Sequence, residues 1–142
     1  MKRIWRGVRP LLLPALTVCC LALGGCAAKP EGAQVLLDGA AWPGGSVSSE
    51  SREALRVYVT LDGAPLIDLP FDEAHRVSVV QPDGIRNDVV LTGESVYMES
   101  ATCENQDCVK MGEVTRDNLE LRVMGGFIIC LPQRVSVEVR GE

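Results

Sequence analysis

The sequence is poor in the residues on which most enzymatic chemistry depends. It holds one histidine, His75, in the stretch Phe71-Asp72-Glu73-Ala74-His75-Arg76. A Ser-His-Asp or Cys-His arrangement therefore has scant material. No Gly-x-Ser-x-Gly elbow, P-loop or dinucleotide fingerprint occurs. Cys-x2-Cys, the spacing most indicative of a metal knuckle or a thioredoxin-like couple, is also missing. Aromatic residues are only 4% of the chain, so the core has to come from Val, Leu and Ile, side chains that suit pleated surfaces. Basic residues are scarce beyond the N-terminus. Lys2, Arg3, Arg6 and Arg9, four of the 14, precede Cys26, whereas all 19 acidic residues follow it. The remainder carries 10 basic against 19 acidic residues, a balance of −9. Such a surface repels phosphate backbones, so neither nucleic acid nor RNA polymerase is an expected partner.

What is present begins with an address. Behind the basic segment, an apolar run extends from Leu11 to Leu23, interrupted by Pro14. A membrane-spanning helix needs about 20 apolar residues, and this run is shorter. Basic segment, short apolar run and small residues together are the layout of a secretory signal over residues 1–25. Leu23-Gly24-Gly25-Cys26 resembles the bacterial lipobox, with a branched residue at −3, small residues at −2 and −1, and the cysteine to be acylated. Cys19 and Cys20 lack those neighbours. Cys26 is therefore the expected lipidation site, carrying two or three acyl chains, and two suffice for stable anchoring. Translocation places the rest of the chain on the extracytoplasmic face of the cell membrane, where cysteines can stay oxidised.

Residues 26–53 have linker composition. Pro30, Gly32, Pro43, Gly44 and Gly45 punctuate them, and Ser46 to Ser51 supplies four serines. A flexible tether is expected there, reaching about 90 Å when extended. Val35-Leu36-Leu37 and Trp42 are apolar exceptions to it, suited to docking on the domain or resting at the lipid interface.

From residue 54 the period becomes two. Leu55, Val57, Val59 and Leu61 alternate with Arg56, Tyr58 and Thr60, the pattern of a strand with one buried face. Asp62-Gly63 is a tight-hairpin signal, and Ala64 to Leu69 can return as its partner. Further runs cover Val77 to Gln81, Val89 to Thr92, Val96 to Ser100 and Phe127 to Leu131, and Val135, Val137 and Val139 form the last. Leu119, Leu121 and Val123 alternate with Glu120 and Arg122, which predicts another strand. Residues 54–142 are expected to fold as an all-β domain, a small barrel or sandwich of seven to eight short strands. At most one short helical turn is expected, within Cys103 to Val109. Asp68, Asp72, Glu73, Asp83 and Asp88 read as solvated turn residues, and Met98, Met111 and Met124 as fillers.

Several blocks carry a family resemblance. Gly84-Ile-Arg-Asn-Asp-Val-Val-Leu91 precedes Val96-Tyr-Met-Glu-Ser-Ala101. Then come Cys103-x4-Cys108-Val109, Gly112-x-Val114 and Ile129-Cys130-Leu131-Pro132-x-Arg134-Val135-x-Val137. Together these resemble the NusG domain II family, over about residues 55–142. The resemblance implies a compact β-barrel-like domain. It does not carry the transcription role across, because the parts of such factors that engage polymerase have no counterpart here. Many relatives have proline directly after the first cysteine, where this chain has Glu104.

Cys103, Cys108 and Cys130 remain once the N-terminus is discounted, an odd number. One disulfide plus one buried thiol is the most economical account. All three pairings are open, with Cys103–Cys108 the easiest loop to close. Convergence of the three at one end of the domain is expected. Three thiolates with a fourth ligand would also suit zinc or an iron–sulfur centre, a weaker reading without Cys-x2-Cys. The leading expectation is a membrane-tethered, extracytoplasmic, non-enzymatic domain without a cofactor, binding an envelope protein or supporting an assembly. The alternative is a thiol or electron-transfer accessory, or a metal-binding module, using Cys103, Cys108 and Cys130.

Overall fold

The computed structural model describes residues 30–45 and 55–141. Among these residues, ten strands make two antiparallel sheets. The chain runs β1 (Gln34–Leu37), β2 (Ala40–Ala41), β3 (Leu55–Leu61), β4 (Ala64–Pro70) and β5 (Ala74–Val80). A 3-10 turn at Pro82–Gly84 leads to β6 (Arg86–Thr92) and β7 (Ser95–Ala101). One helical turn, α1 (Asp107–Lys110), precedes β8 (Val114–Thr115), β9 (Phe127–Cys130) and β10 (Val135–Gly141). Six strands pair in the order β2-β1-β5-β6-β7-β8, and four in the order β4-β3-β10-β9.

Alternation fixes which face of each strand is inward. Val57, Val59 and Leu61 of β3 and Val135, Val137 and Val139 of β10 are buried, as are Val77 and Val79 of β5 and Val89 and Leu91 of β6. All of them join one core cluster drawn from both sheets, with Phe71, Met98 and Ile128. This is the sandwich form of the expected all-β fold, and among the described residues no closed barrel forms. The β3–β4 hairpin turns through Asp62 and Gly63, both at positive φ as that two-residue turn requires.

Two boundaries differ from expectation. The spacer expected over residues 26–53 contains sheet. β1 pairs along its length with β5, Val35 facing Val79, and Val35 is 2% exposed. Asp38 and Gly39, again at positive φ, turn the chain into β2. Sheet pairing therefore begins about 20 residues before the expected domain start, in residues whose linker-like composition hides a hairpin. The expected signal segment, Cys26 and the serine stretch lie outside the described residues.

The second difference is at residues 119–123, where alternation predicts a strand and successive turns form instead. The Asn118 carbonyl accepts the N–H groups of both Leu121 and Arg122. The Arg122 guanidinium donates to the Gly125, Met111 and Glu113 carbonyls at 3.1, 3.1 and 2.7 Å. The Leu121 and Arg122 N–H groups, which a ladder would pair, are thus satisfied within the loop, and no neighbouring strand is recruited.

The acidic residues also divide. Asp88 is not a solvated turn residue but a buried member of β6. Asp68 lies in β4 and accepts from Arg56 Nε at 2.7 Å. Among the described residues, no helix is long and apolar enough to cross a membrane.

Candidate functional site

The three cysteines arrive from two directions. β7 ends at Ala101, and the chain then makes a short excursion to α1 that carries Cys103 and Cys108. β9 delivers Cys130 at its C-terminal end, just before the turn through Pro132. Gln106 takes a positive φ of 55° at the helix entrance and donates through Nε2 to the carbonyls of Ala101 and Cys103. That amide folds the loop back on itself, and Lys110 Nζ closes it further on the Asn105 carbonyl at 2.8 Å.

The result is a buried thiol triad. Cys103, Cys108 and Cys130 are 6%, 1% and 1% exposed, and their Sγ atoms all lie within 4.8 Å of one another. Cys103 Sγ and Cys108 Sγ are 3.6 Å apart. A disulfide bond measures about 2.05 Å, so the expected bridge between them is not formed, and all three thiols are free. Cys130 donates its S–H to Gln133 Oε1 at 3.4 Å, and Gln133 Nε2 donates to Thr102 Oγ1 at 2.6 Å. Gln133 thereby pins the β9–β10 turn to the loop leaving β7. Burial, followed by the neighbouring Cys130 and Cys103 thiols, pushes the Cys108 thiol up to about 12. A small cavity of about 50 Å³ reaches Cys108 and Cys130 from outside, past Asn105, Asp107, Leu131 and Pro132.

Residues 33–142 match the family model described as NusG domain II. The chain belongs to that family. Within this NusG domain II chain, the Cys103-x4-Cys108 and Ile129-Cys130-Leu131-Pro132 blocks are the two segments that meet at the triad. A DUF1312 family protein from Enterococcus faecalis is similar in structure, with TM-score 0.54 at 15% identity, over 62% of this chain and 98% of that one. The Lin0431 protein from Listeria innocua gives TM-score 0.53 at 20% identity, over 62% of this chain and 97% of that one. At these identities the likeness concerns the fold. No curated protein sequence matches the chain.

His75 does not join the cysteines. Its Nδ1 lies 2.9 Å from Asp38 Oδ2 and its Nε2 3.2 Å from Glu73 Oε2. Burial pushes the imidazole pKa down, but the hydrogen bonds to Asp38 and Glu73 outweigh it and raise the value overall. The lone histidine therefore clips the β1–β2 turn to β5.

A second feature escapes sequence reading. Leu121, Val123 and Leu131 are 84%, 101% and 78% exposed, with Met124 and Phe127 exposed beside them in the sequence. Leu121, Val123 and Met124 line a shallow cavity of about 360 Å³ with Met111. Met111 Sδ accepts the Ile129 N–H at 3.4 Å, which joins this cavity to β9, one of the two outer strands of the four-stranded sheet. A strict two-residue alternation is the signal that misleads here. It reads as a buried face, whereas Leu119 alone of the three packs on the core and Leu121 and Val123 point to solvent.

Proposed function

We propose that this chain is a membrane-tethered, extracytoplasmic, non-enzymatic binding domain of the cell envelope, which docks a partner protein through its exposed apolar ridge. The observation that carries the docking role is the exposure of Leu121, Val123 and Met124 around the Met111 cavity. Leu121, Val123 and Met124 share one shallow cavity with Met111, and exposed apolar side chains that meet in this way mark interaction sites more often than isolated ones do. Support for the tether is the Leu23-Gly24-Gly25-Cys26 motif behind a basic and apolar segment. The balance of −9 beyond Cys26 argues against nucleic acid as the partner.

Photo-crosslinking in intact cells tests both parts. A photoreactive residue at Met124 should give a discrete protein adduct, and one at Asp83, in the 3-10 turn, should not. Leu121→Asp should abolish that adduct, and fatty-acid label should disappear in Cys26→Ser. Equal adducts from both positions would end the docking role. Label retained in Cys26→Ser would end the anchor assignment.

The convergence of thiols favours a second reading, in which Cys103 and Cys108 cycle between dithiol and disulfide, passing two electrons and two protons to a partner disulfide. Their burial works against it. An external disulfide has little access to either sulfur, and the raised pKa of Cys108 keeps its thiolate scarce.

A further inference from the structure

Three buried cysteines could fill a core as small hydrophobes without their sulfurs meeting. Here two distant chain segments bring all three Sγ atoms within 4.8 Å of one another. We propose that Cys103, Cys108 and Cys130 together form a binding site for one thiophilic d10 cation, Zn2+ or Cu+, held by three thiolates.

The geometry is close to what such an ion needs. With Zn–S bonds of about 2.3 Å, sulfurs at the corners of a tetrahedron lie about 3.8 Å apart. The Cys103–Cys108 separation of 3.6 Å already matches that edge. The widest separation is no more than 4.8 Å, so closing it requires about 1 Å, within the reach of side-chain rotation. Among the described residues, no histidine or carboxylate joins the cluster. A donor set of sulfur alone selects soft cations over Mg2+ or Ca2+.

The surroundings fit a bound ion as well. Gln106 Nε2, whose two hydrogens go to the Ala101 and Cys103 carbonyls, fixes the loop that carries Cys103 beside the other two sulfurs. The cavity of about 50 Å³ beside Cys108 and Cys130 has room for about one water. It gives the ion a route inward and, for Zn2+, a place for a fourth ligand. Binding breaks three S–H bonds, releases three protons to solvent and forms three metal–sulfur bonds without any electron transfer. The three ligands are separate from Leu121 and Val123, which line a different cavity with Met111.

The test uses the full chain, purified from membranes in detergent, reduced and freed of metal. Co2+ should bind at one equivalent per chain with thiolate-to-cobalt charge-transfer absorption, and Zn2+ should displace it. Cys103→Ser and Cys130→Ser should each weaken binding at least about tenfold. Zn2+ should also protect all three cysteines from alkylation at a urea concentration that opens the metal-free chain, as read by mass spectrometry, since burial alone shields them in the folded chain. A parallel arm sets Cu+ against a Cu+-selective chelator. Protection by Cu+ alone assigns the monovalent ion, and protection by Zn2+ the divalent one. If neither protects the three thiols in wild-type protein, the proposal is overturned, whatever the serine variants do to folding. It is equally overturned if the charge-transfer band survives in the triple Cys→Ser variant.

Discussion

Val35 of β1 faces Val79 of β5 across an antiparallel ladder, and both side chains are closed off from solvent. The Trp42 N–H returns to the Val35 carbonyl at 2.8 Å, and Asp38 accepts from Arg76 N on β5 at 2.8 Å. β1 and β2 therefore cover the flank of β5 that would otherwise be an open edge. Removing residues 33–42 should expose that ladder, lower the urea midpoint and promote self-association. Val35→Ala in the full chain should cost about 2 kcal/mol, the worth of burying one such side chain. A chain beginning at residue 54 with an unchanged midpoint would show that β1 contributes nothing to the domain.

A second prediction concerns acid. Asp88 is buried in β6, which by itself would raise its pKa. Hydrogen bonds from Arg86, Ser78 and Ser100 outweigh burial and bring it down to about 2, from an ordinary value of 3.8. The folded value is depressed, so the carboxylate's contribution is complete above about pH 4 and is lost as pH falls towards 2. The shift corresponds to about 2 kcal/mol. Asp88→Asn should therefore be less stable than wild type by about that amount at neutral pH, with the gap closing near pH 2. A gap that is constant across this range would mean that the charge is not what stabilises β6.

The strands that were legible share a feature. β3, β6, β7 and β10 alternate or run apolar between turn residues, and in each case burial enforces the pattern. β1 carried an equally good signal. Asp38-Gly39 between Val35-Leu36-Leu37 and Ala40-Ala41 is the same hairpin code as Asp62-Gly63. Its surroundings of Pro, Gly and Ser mask it, because composition is averaged over a window longer than the hairpin. Residues 119–123 show the opposite failure. Their alternation is real, but a strand also needs a neighbour to bond with, and the Asn118 carbonyl takes the Leu121 and Arg122 N–H groups first. For the cysteines, spacing suggested a meeting place and could not decide between bond and cluster. That choice depends on a sulfur separation of 3.6 Å, which no spacing encodes.

The loop that presents the apolar ridge is held by one close approach. A Cβ placed on Gly126 would lie 2.1 Å from the Val139 carbonyl oxygen, 3.0 Å from its carbon and 3.1 Å from Leu119 Cδ1. The approach is cemented by the Val139 N–H, which donates to the Gly126 carbonyl at 2.9 Å. Val139 cannot retreat, because β10 is bonded to β3 on one side and to β9 on the other. The loop must therefore move when a methyl group is added. Gly125 differs, for its Cβ would meet only the Leu119 oxygen at 3.9 Å. Its φ of +54° still makes alanine there cost about 1 kcal/mol. Gly126→Ala should cost more, about 2–3 kcal/mol, as overpacking against fixed backbone does. It should also weaken the crosslink from Met124, since Leu121 and Val123 ride on the displaced loop. Denaturant titration of both variants orders the two costs. If Gly126→Ala proves no worse than Gly125→Ala, the contact with Val139 is not what fixes the ridge.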